Sequence, residues 1–283
     1  MRPLLLILRM IKWEHTIFAL PFALVSLLVA SDGVPAWSTL GWILVAMIGA
    51  RSTAMAFNRL VDARIDAANP RTATREIPSG ALSRTAVLVF TLATAGLFVF
   101  AAFMLNPLCF ALSPVALLIV WFYSLTKRFT ALSHLFLGLA LGVAPIGAWL
   151  AVQGEFAAFP LILAFAVLCW VAGFDVLYAC QDVDFDRKAG LRSIPAAIGQ
   201  RAARWAARGL HVLAVGAWAW AFLSVGLGAV ALAGVVVTAV LLGYEHWLVR
   251  GDDLSRIDRA FFEVNSWIGM VLLGSTLLEL YLV

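Results

Sequence analysis

Apolar residues in this chain come in long unbroken runs, without the three-to-four-residue stripes of a soluble amphipathic helix or the alternation of a half-buried strand. A helix needs about 20 apolar residues to cross a bilayer. Nine stretches qualify, approximately residues 15–31, 38–57, 85–104, 107–125, 132–151, 159–180, 205–223, 227–248 and 262–282. The pattern predicts an all-α integral membrane protein of nine transmembrane helices, forming a single domain over residues 1–283. Connections such as Asn106-Pro107 and Gly226-Leu227-Gly228 are short enough to make hairpins. Two are much longer, near residues 58–84 and 181–204.

Composition agrees, with 63% apolar and only 13% charged residues, which excludes an ordinary water-soluble domain. The basic residues orient the spans. Nineteen of the 20 Lys and Arg residues fall at the amino terminus or in every second connection, and the intervening connections carry none. Cytoplasmic loops hold the excess of Lys and Arg, so nine spans put the amino terminus in the cytoplasm and the carboxyl terminus outside. Both long connections then face the cytoplasm, as expected in a bacterial inner membrane. The formal charge of +4 follows from this bias and from contact with membrane lipid, giving no reason to invoke nucleic acid. No cleavable signal is evident before Ser31, so the first span is expected to stay. Cys109, Cys169 and Cys180 lie in or beside apolar runs at no ligand spacing, and predict neither a disulfide nor a thiolate metal site.

Each long connection opens on a pair of aspartates four residues apart, Asp62/Asp66 and Asp182/Asp186. Carboxylates at that spacing share a helix face and can hold a divalent cation that carries a polyanion. Cations and Pro/Gly turns follow both pairs, in Arg75-Glu-Ile-Pro-Ser-Gly80 and Arg187-Lys-Ala-Gly-Leu-Arg192-Ser-Ile-Pro195. Seven residues before Asn58 lies Arg51, and seven before Asp182 lies Asp175. A charge inside a span costs at least ~2.5 to 3.5 kcal/mol on insertion scales, so such residues face a cavity or a partner. Two acidic sites at a membrane surface point to a lipid diphosphate. Asn58, Asp62, Asp66, Asp182 and Asp186 are the candidate Mg²⁺ ligands, because Mg²⁺ uses a few carboxylates together with phosphate oxygens and water. Arg75, Lys127, Arg128 and Arg192 are placed to stabilise departing diphosphate. Arg51 is the candidate anchor for an acceptor's carboxylate, Asp175 the candidate to orient or deprotonate a phenol, and the Tyr123 and Tyr178 rings could shield an allylic cation.

Asn58-xxx-Asp62-xxx-Asp66, the Arg75–Gly80 segment, Tyr123-Ser-Leu-Thr-Lys127-Arg128 and Tyr178-xx-Gln181-Asp182-xxx-Asp186-xxx-Gly190-x-Arg192-Ser193 together resemble the intramembrane aromatic prenyltransferases of quinone biosynthesis, the 4-hydroxybenzoate polyprenyltransferase type. The resemblance covers nearly the whole chain. It implies a nine-helix bundle around a central lipid-open cavity and Mg²⁺-dependent transfer of a polyprenyl group from polyprenyl diphosphate to a ring carbon of an aromatic acid. It implies 4-hydroxybenzoate as the favoured acceptor, prenylated ortho to the hydroxyl in ubiquinone or related quinone biosynthesis, and a carboxylate-binding role at Arg51. Three positions depart from the family pattern. Arg192 stands where many relatives carry Lys, Arg59 follows Asn58 where an acid is frequent, and Ile11-Lys-Trp-Glu-His-Thr16 differs from the Lys-Pro opening of many benzoate enzymes. These departures keep 1,4-dihydroxy-6-naphthoate, a menaquinone precursor, as the alternative acceptor.

Blander readings compete at several positions. One isolated Asp pair is usually a solvated helix end, and Asp184 is expected to be solvated. Lys127 and Arg128 could simply be positive-inside anchors, as could the basic residues from Arg201 to Arg259. His15, His134, His211 and His246 read as interfacial or packing residues near helix ends, and Trp13, Trp37, Trp205 and Trp247 as an interfacial belt. Gly96, Gly138, Gly142 and Gly147 are expected to permit close helix packing. An ion-coupled transporter, with Arg51 and Asp175 marking its path, is the rival of another class. A phosphotransferase for activated alcohols is disfavoured, because its Asp-x-x-Ala-Arg pattern with a distal Gly and Asp-x-x-x-Asp is missing. No obligate protein partner is inferred.

Overall fold

A computed structural model describes residues 3–12, 18–31, 33–250 and 256–283. The described residues form helices α1 (Pro3–Ile11), α2 (Leu20–Ala30), α3 (Trp37–Ala68), α4 (Arg84–Leu105), α5 (Pro107–Thr126), α6 (Ser133–Gln153) and α7 (Ala158–Ala179), with no strand among them. The carboxyl-terminal part continues through α8 (Val183–Lys188), α9 (Ile194–Ile198), α10 (Gln200–Ser224), α11 (Ala229–Leu248), α12 (Ile257–Arg259) and α13 (Asn265–Leu282). Eight of these elements are long and apolar enough to cross a membrane, with Ala158–Lys188 and Ile257–Leu282 each counted as one continuous span. The first expected span corresponds to α2, which has 11 residues; the expected residues 15–17 lie outside the described residues, as do Arg2, Trp13 and His15.

The first long connection is shorter than expected, because α3 runs to Ala68 and carries both Asp62 and Asp66 within it. Val61, Ala63, Ile65, Ala67 and Ala68 keep helix-compatible side chains between the polar positions, and Pro70 follows at the stop. The second is largely helical as well. It holds a 3₁₀ turn at Cys180–Asp182, then α8 and α9, so that Asp182 sits where the long α7 tightens.

The chain divides into two compact units. One comprises α1, α3, α4 and α5, and the other comprises α2 with everything from Lys127 onward. In the first unit, Gly49 of α3 lies so close to Phe98 of α4 that a Cβ there would approach the Phe98 backbone nitrogen to 2.9 Å. Beside this contact Thr53 donates to the Thr91 carbonyl at 3.0 Å and accepts from Trp121 Nε1 at 3.1 Å, linking α3, α4 and α5. Buried interhelical hydrogen bonds of this kind replace the hydrophobic drive that lipid removes. An apolar face of α1, including Met10 and Ile11, packs with Ala56 and Val87.

The second unit is organised around Trp170 of α7, which is fully buried. Its ring meets Phe22 at 5.1 Å and Trp218 at 6.1 Å between centroids, and its Nε1 donates to Asn265 Oδ1 at 2.6 Å. Gly138 and Gly142, one turn apart on α6, lie against the Leu168 and Ala164 carbonyls of α7, where a Cβ would collide. Gly96 and Gly147 do not share that role, since nothing lies within 4 Å of a Cβ built at either position. Trp37, Trp205 and Trp247 are exposed, and the guanidinium groups of Arg208 and Arg250 stack on Trp205 and Trp247 at 4.3 and 4.8 Å. This is the amphipathic surface expected of interfacial anchors.

Candidate active site

Each unit carries one acidic motif. In the first, the 3.6-residue helical repeat puts Asn58, Asp62 and Asp66 on successive turns of α3. Asp62 and Asp66 are buried, at 1% and 4% exposure. Asn58 Nδ2 donates to Asp62 Oδ2 at 3.1 Å and to Ser124 Oγ at 3.3 Å, so α5 helps to orient it. Arg75 pairs with Asp66 Oδ1 at 2.7 Å, and Thr72 donates to the Asp66 carbonyl at 3.0 Å, which folds the connection after α3 back onto the acidic face. Arg75, expected to meet diphosphate directly, is thus already engaged with a candidate metal ligand. Deeper on α3, Arg51 and Tyr123 of α5 are electrostatic neighbours, and Arg51 Nε is buried without a hydrogen-bond partner.

In the second unit, Asp186 Oδ2 accepts from Ser193 Oγ at 2.8 Å, and Asp186 lies within electrostatic reach of Asp182, Lys127 and His134. Asp184 is exposed, as its position between the pair predicts. Arg192 donates from its backbone to the Lys127 carbonyl at 2.8 Å and from its guanidinium to the Phe129 carbonyl at 2.7 Å. One nitrogen expected for diphosphate is therefore used to brace the loop. Arg128 is half-buried beside Lys127. Tyr178 packs its ring on Phe261 at 4.4 Å between centroids. Asp175 does not stand alone, because its Oδ2 lies 2.7 Å from His134 Nδ1.

From the sequence, Ser124 and Ser193 had no assigned role beyond their place in the motifs, and His134 read as an interfacial or packing residue. Ser193 was legible in principle, as a Ser preceding Ile-Pro at the start of a short helix, and it does cap α9 through the Ala196 N–H. Ser124 and His134 carry no such local signal. His211 is the packing residue expected, but not near a helix end. It sits well inside α10, hydrogen-bonded to His246 at 3.0 Å and to the Trp170 carbonyl at 3.2 Å, because Gly173 leaves room for its ring.

The donors available to a metal suit Mg²⁺. They are carboxylate and amide oxygens, and Asp66 Oδ2 is buried with no hydrogen-bond partner, an arrangement that costs free energy unless something binds it. Among the described residues no three His, Cys, Asp or Glu side chains form a ready-made metal group. Mg²⁺ needs none, since it fills its octahedron with water and substrate phosphates around one or two carboxylates.

Eight spans of this length and apolar composition, with an acidic motif at the end of two of them, define a polytopic membrane protein. The family model for "UbiA prenyltransferase family" matches residues 19–267, and the chain belongs to that family. It is therefore a prenyltransferase, and the transporter reading is set aside. The chain is 30% identical over 255 residues to the 4-hydroxybenzoate octaprenyltransferase of Saccharophagus degradans, covering 90% of this chain and 84% of that one. Among solved structures, a UbiA homologue from Aeropyrum pernix K1 superposes with a TM-score of 0.85 at 33% identity, covering 94% of this chain and 97% of that one. A UbiA homologue from Archaeoglobus fulgidus, bound to DMAPP and Mg²⁺, shares the fold with a TM-score of 0.77 at 18% identity, covering 98% and 99%.

Proposed function

We propose that the protein transfers a polyprenyl group from its diphosphate to a ring carbon of 4-hydroxybenzoate, ortho to the hydroxyl, at the cytoplasmic face of a bacterial inner membrane. The observation that carries this reading is the buried Asp62/Asp66 face, with one Asp66 oxygen left open beside Arg75. The Saccharophagus relative's name supports the acceptor, and the ligands of the Archaeoglobus homologue support the donor and the metal. The Lys and Arg bias supports the orientation.

Asn58, Asp62, Asp66, Asp182 and Asp186 are the residues that would hold Mg²⁺. When bound, Mg²⁺ supplies positive charge against the diphosphate oxygens. Arg75, Lys127 and Arg128 add to that charge, and their effect grows as the allylic C–O bond breaks and its electron pair leaves with diphosphate. Tyr123 and Tyr178 offer ring faces to the resulting allylic cation. Arg51 holds the acceptor's carboxylate, so that the ring carbon ortho to the hydroxyl meets the cation before water does. That carbon forms the new C–C bond and gives up its proton to the departed diphosphate, regaining aromaticity.

The test incubates membranes containing the protein with Mg²⁺, a polyprenyl diphosphate, and either 4-hydroxybenzoate or 1,4-dihydroxy-6-naphthoate. Mass spectrometry should find prenylated benzoate formed in preference. Preferential prenylation of the naphthoate would transfer the acceptor assignment to the menaquinone precursor.

A further inference from the structure

The loop that follows the second aspartate motif is held by a histidine outside every motif. His134, at the start of α6, is 3% exposed, and both of its ring nitrogens are engaged. Nε2 lies 3.3 Å from the Ile194 backbone nitrogen, and Nδ1 lies 2.7 Å from Asp175 Oδ2. A backbone N–H can only donate, so Nε2 is the acceptor. The ring then carries its proton on Nδ1 and donates it to the Asp175 carboxylate.

Ile194 adjoins Ser193, the residue that holds Asp186. Ser193 Oγ donates to Asp186 Oδ2 at 2.8 Å and accepts from the Ala196 N–H at 3.3 Å. On its other side, Arg192 is fixed to the Lys127 and Phe129 carbonyls. Within the loop, the Leu191 N–H donates to the Asp186 carbonyl at 2.9 Å and Arg187 Nε to the Ala196 carbonyl at 3.0 Å. The segment before α6 and the first turn of α6 therefore grip the loop on both sides of Ser193. His134 provides the grip nearest α7, and Asp175 sets the ring's tautomer and angle.

We propose that His134 is a positioning residue for the second aspartate motif, and that Asp175 acts through His134 instead of taking a proton from the acceptor. The proposal rests on the reading of Asp182 and Asp186 as diphosphate-handling residues. It gives the half-buried charge in α7 a role in donor binding.

Three substitutions separate the two ring nitrogens. H134A removes both contacts, H134Q can return an acceptor near the Nε2 position, and H134N can return a donor near the Nδ1 position. In purified protein without Mg²⁺ or substrate, trypsin cleavage after the exposed Arg187, Lys188 and Arg192 reports the loop directly. Cleavage should be about tenfold faster in H134A and H134N and near the natural rate in H134Q, the size expected for one lost hydrogen bond. With substrates, H134A should raise the KM for polyprenyl diphosphate about tenfold and leave the acceptor's KM unchanged, and H134Q should restore the natural value. D175N should retain kcat within about threefold, whereas loss of a general base costs 10²-fold or more. Natural cleavage rates and KM values in H134A, failure of H134Q to recover either, or a hundredfold fall in kcat for D175N would each overturn the proposal. If the natural protein made no prenylated product, the parent reading would fail, and the donor-positioning role of His134 with it. Protease sensitivity would still show whether His134 anchors the loop.

Discussion

Asp66 is the residue on which the proposed donor chemistry most visibly depends. One of its oxygens is paired with Arg75 and the other is buried and open. Asp66→Asn keeps the size and removes the charge, so the prenyl transfer rate should fall by about 10²-fold or more, with Mg²⁺ titration showing a weakened requirement curve. An unchanged curve would remove Asp66 from the metal set. The proposed function gives Arg51 to the acceptor instead. Arg51→Ala should raise the KM for the aromatic acid more than that for the diphosphate, and the opposite order in steady-state kinetics would refute the carboxylate assignment. Both residues stood out in the sequence, Arg51 because a charge inside an apolar run is costly and Asp66 because it pairs with Asp62 four residues earlier. Ser124 and His134 did not, since each acts through a partner remote in the chain, 66 residues away for Ser124 with Asn58 and 41 for His134 with Asp175.

At the scale of elements, helix contacts separate glycines that look alike in sequence. Gly138 sits against the Leu168 carbonyl, so Gly138→Ala forces α6 and α7 apart and should cost about 1–3 kcal/mol, read as a lower unfolding temperature in detergent. Gly147→Ala, on the same helix, meets nothing within 4 Å and should be neutral or stabilising by up to ~1 kcal/mol through helix propensity. Equal effects at the two sites would contradict the packing described. The runs of apolar residues located the long helices well, because the hydrophobic thickness sets their length. Their ends were harder to read. Asp62 and Asp66 look like the polar sequence that follows a span, yet α3 continues through them, since a helix can leave lipid without unwinding. Cys180–Asp182 is the reverse case, a local tightening to 3₁₀ that periodicity does not announce.

For the whole molecule, the Lys and Arg bias predicts which segments face the cytoplasm. Ser79 and Glu155 are both exposed, and the native Cys109, Cys169 and Cys180 are buried, so background labelling should be low. In intact cells a membrane-impermeant maleimide should label Glu155→Cys and spare Ser79→Cys, and inside-out vesicles should show the reverse. Labelling of both from one side would break the assignment. Membrane character, the two acidic motifs and the family resemblance were all readable from the sequence. The division into two compact units was not, because each gathers helices from separate parts of the chain: α2 joins the later helices and α1 joins α3–α5.

The central proposal is that each aspartate motif is required for Mg²⁺-dependent prenyl transfer. The most direct measurement is the rate of prenylated product formation against Mg²⁺ concentration for the natural protein, Asp66→Asn and Asp186→Asn, at equal amounts of folded protein. The account predicts no product without a divalent cation and a loss of about 10²-fold in each variant at saturating substrates. Full activity in either variant, or transfer that proceeds unchanged in a chelator, would contradict it.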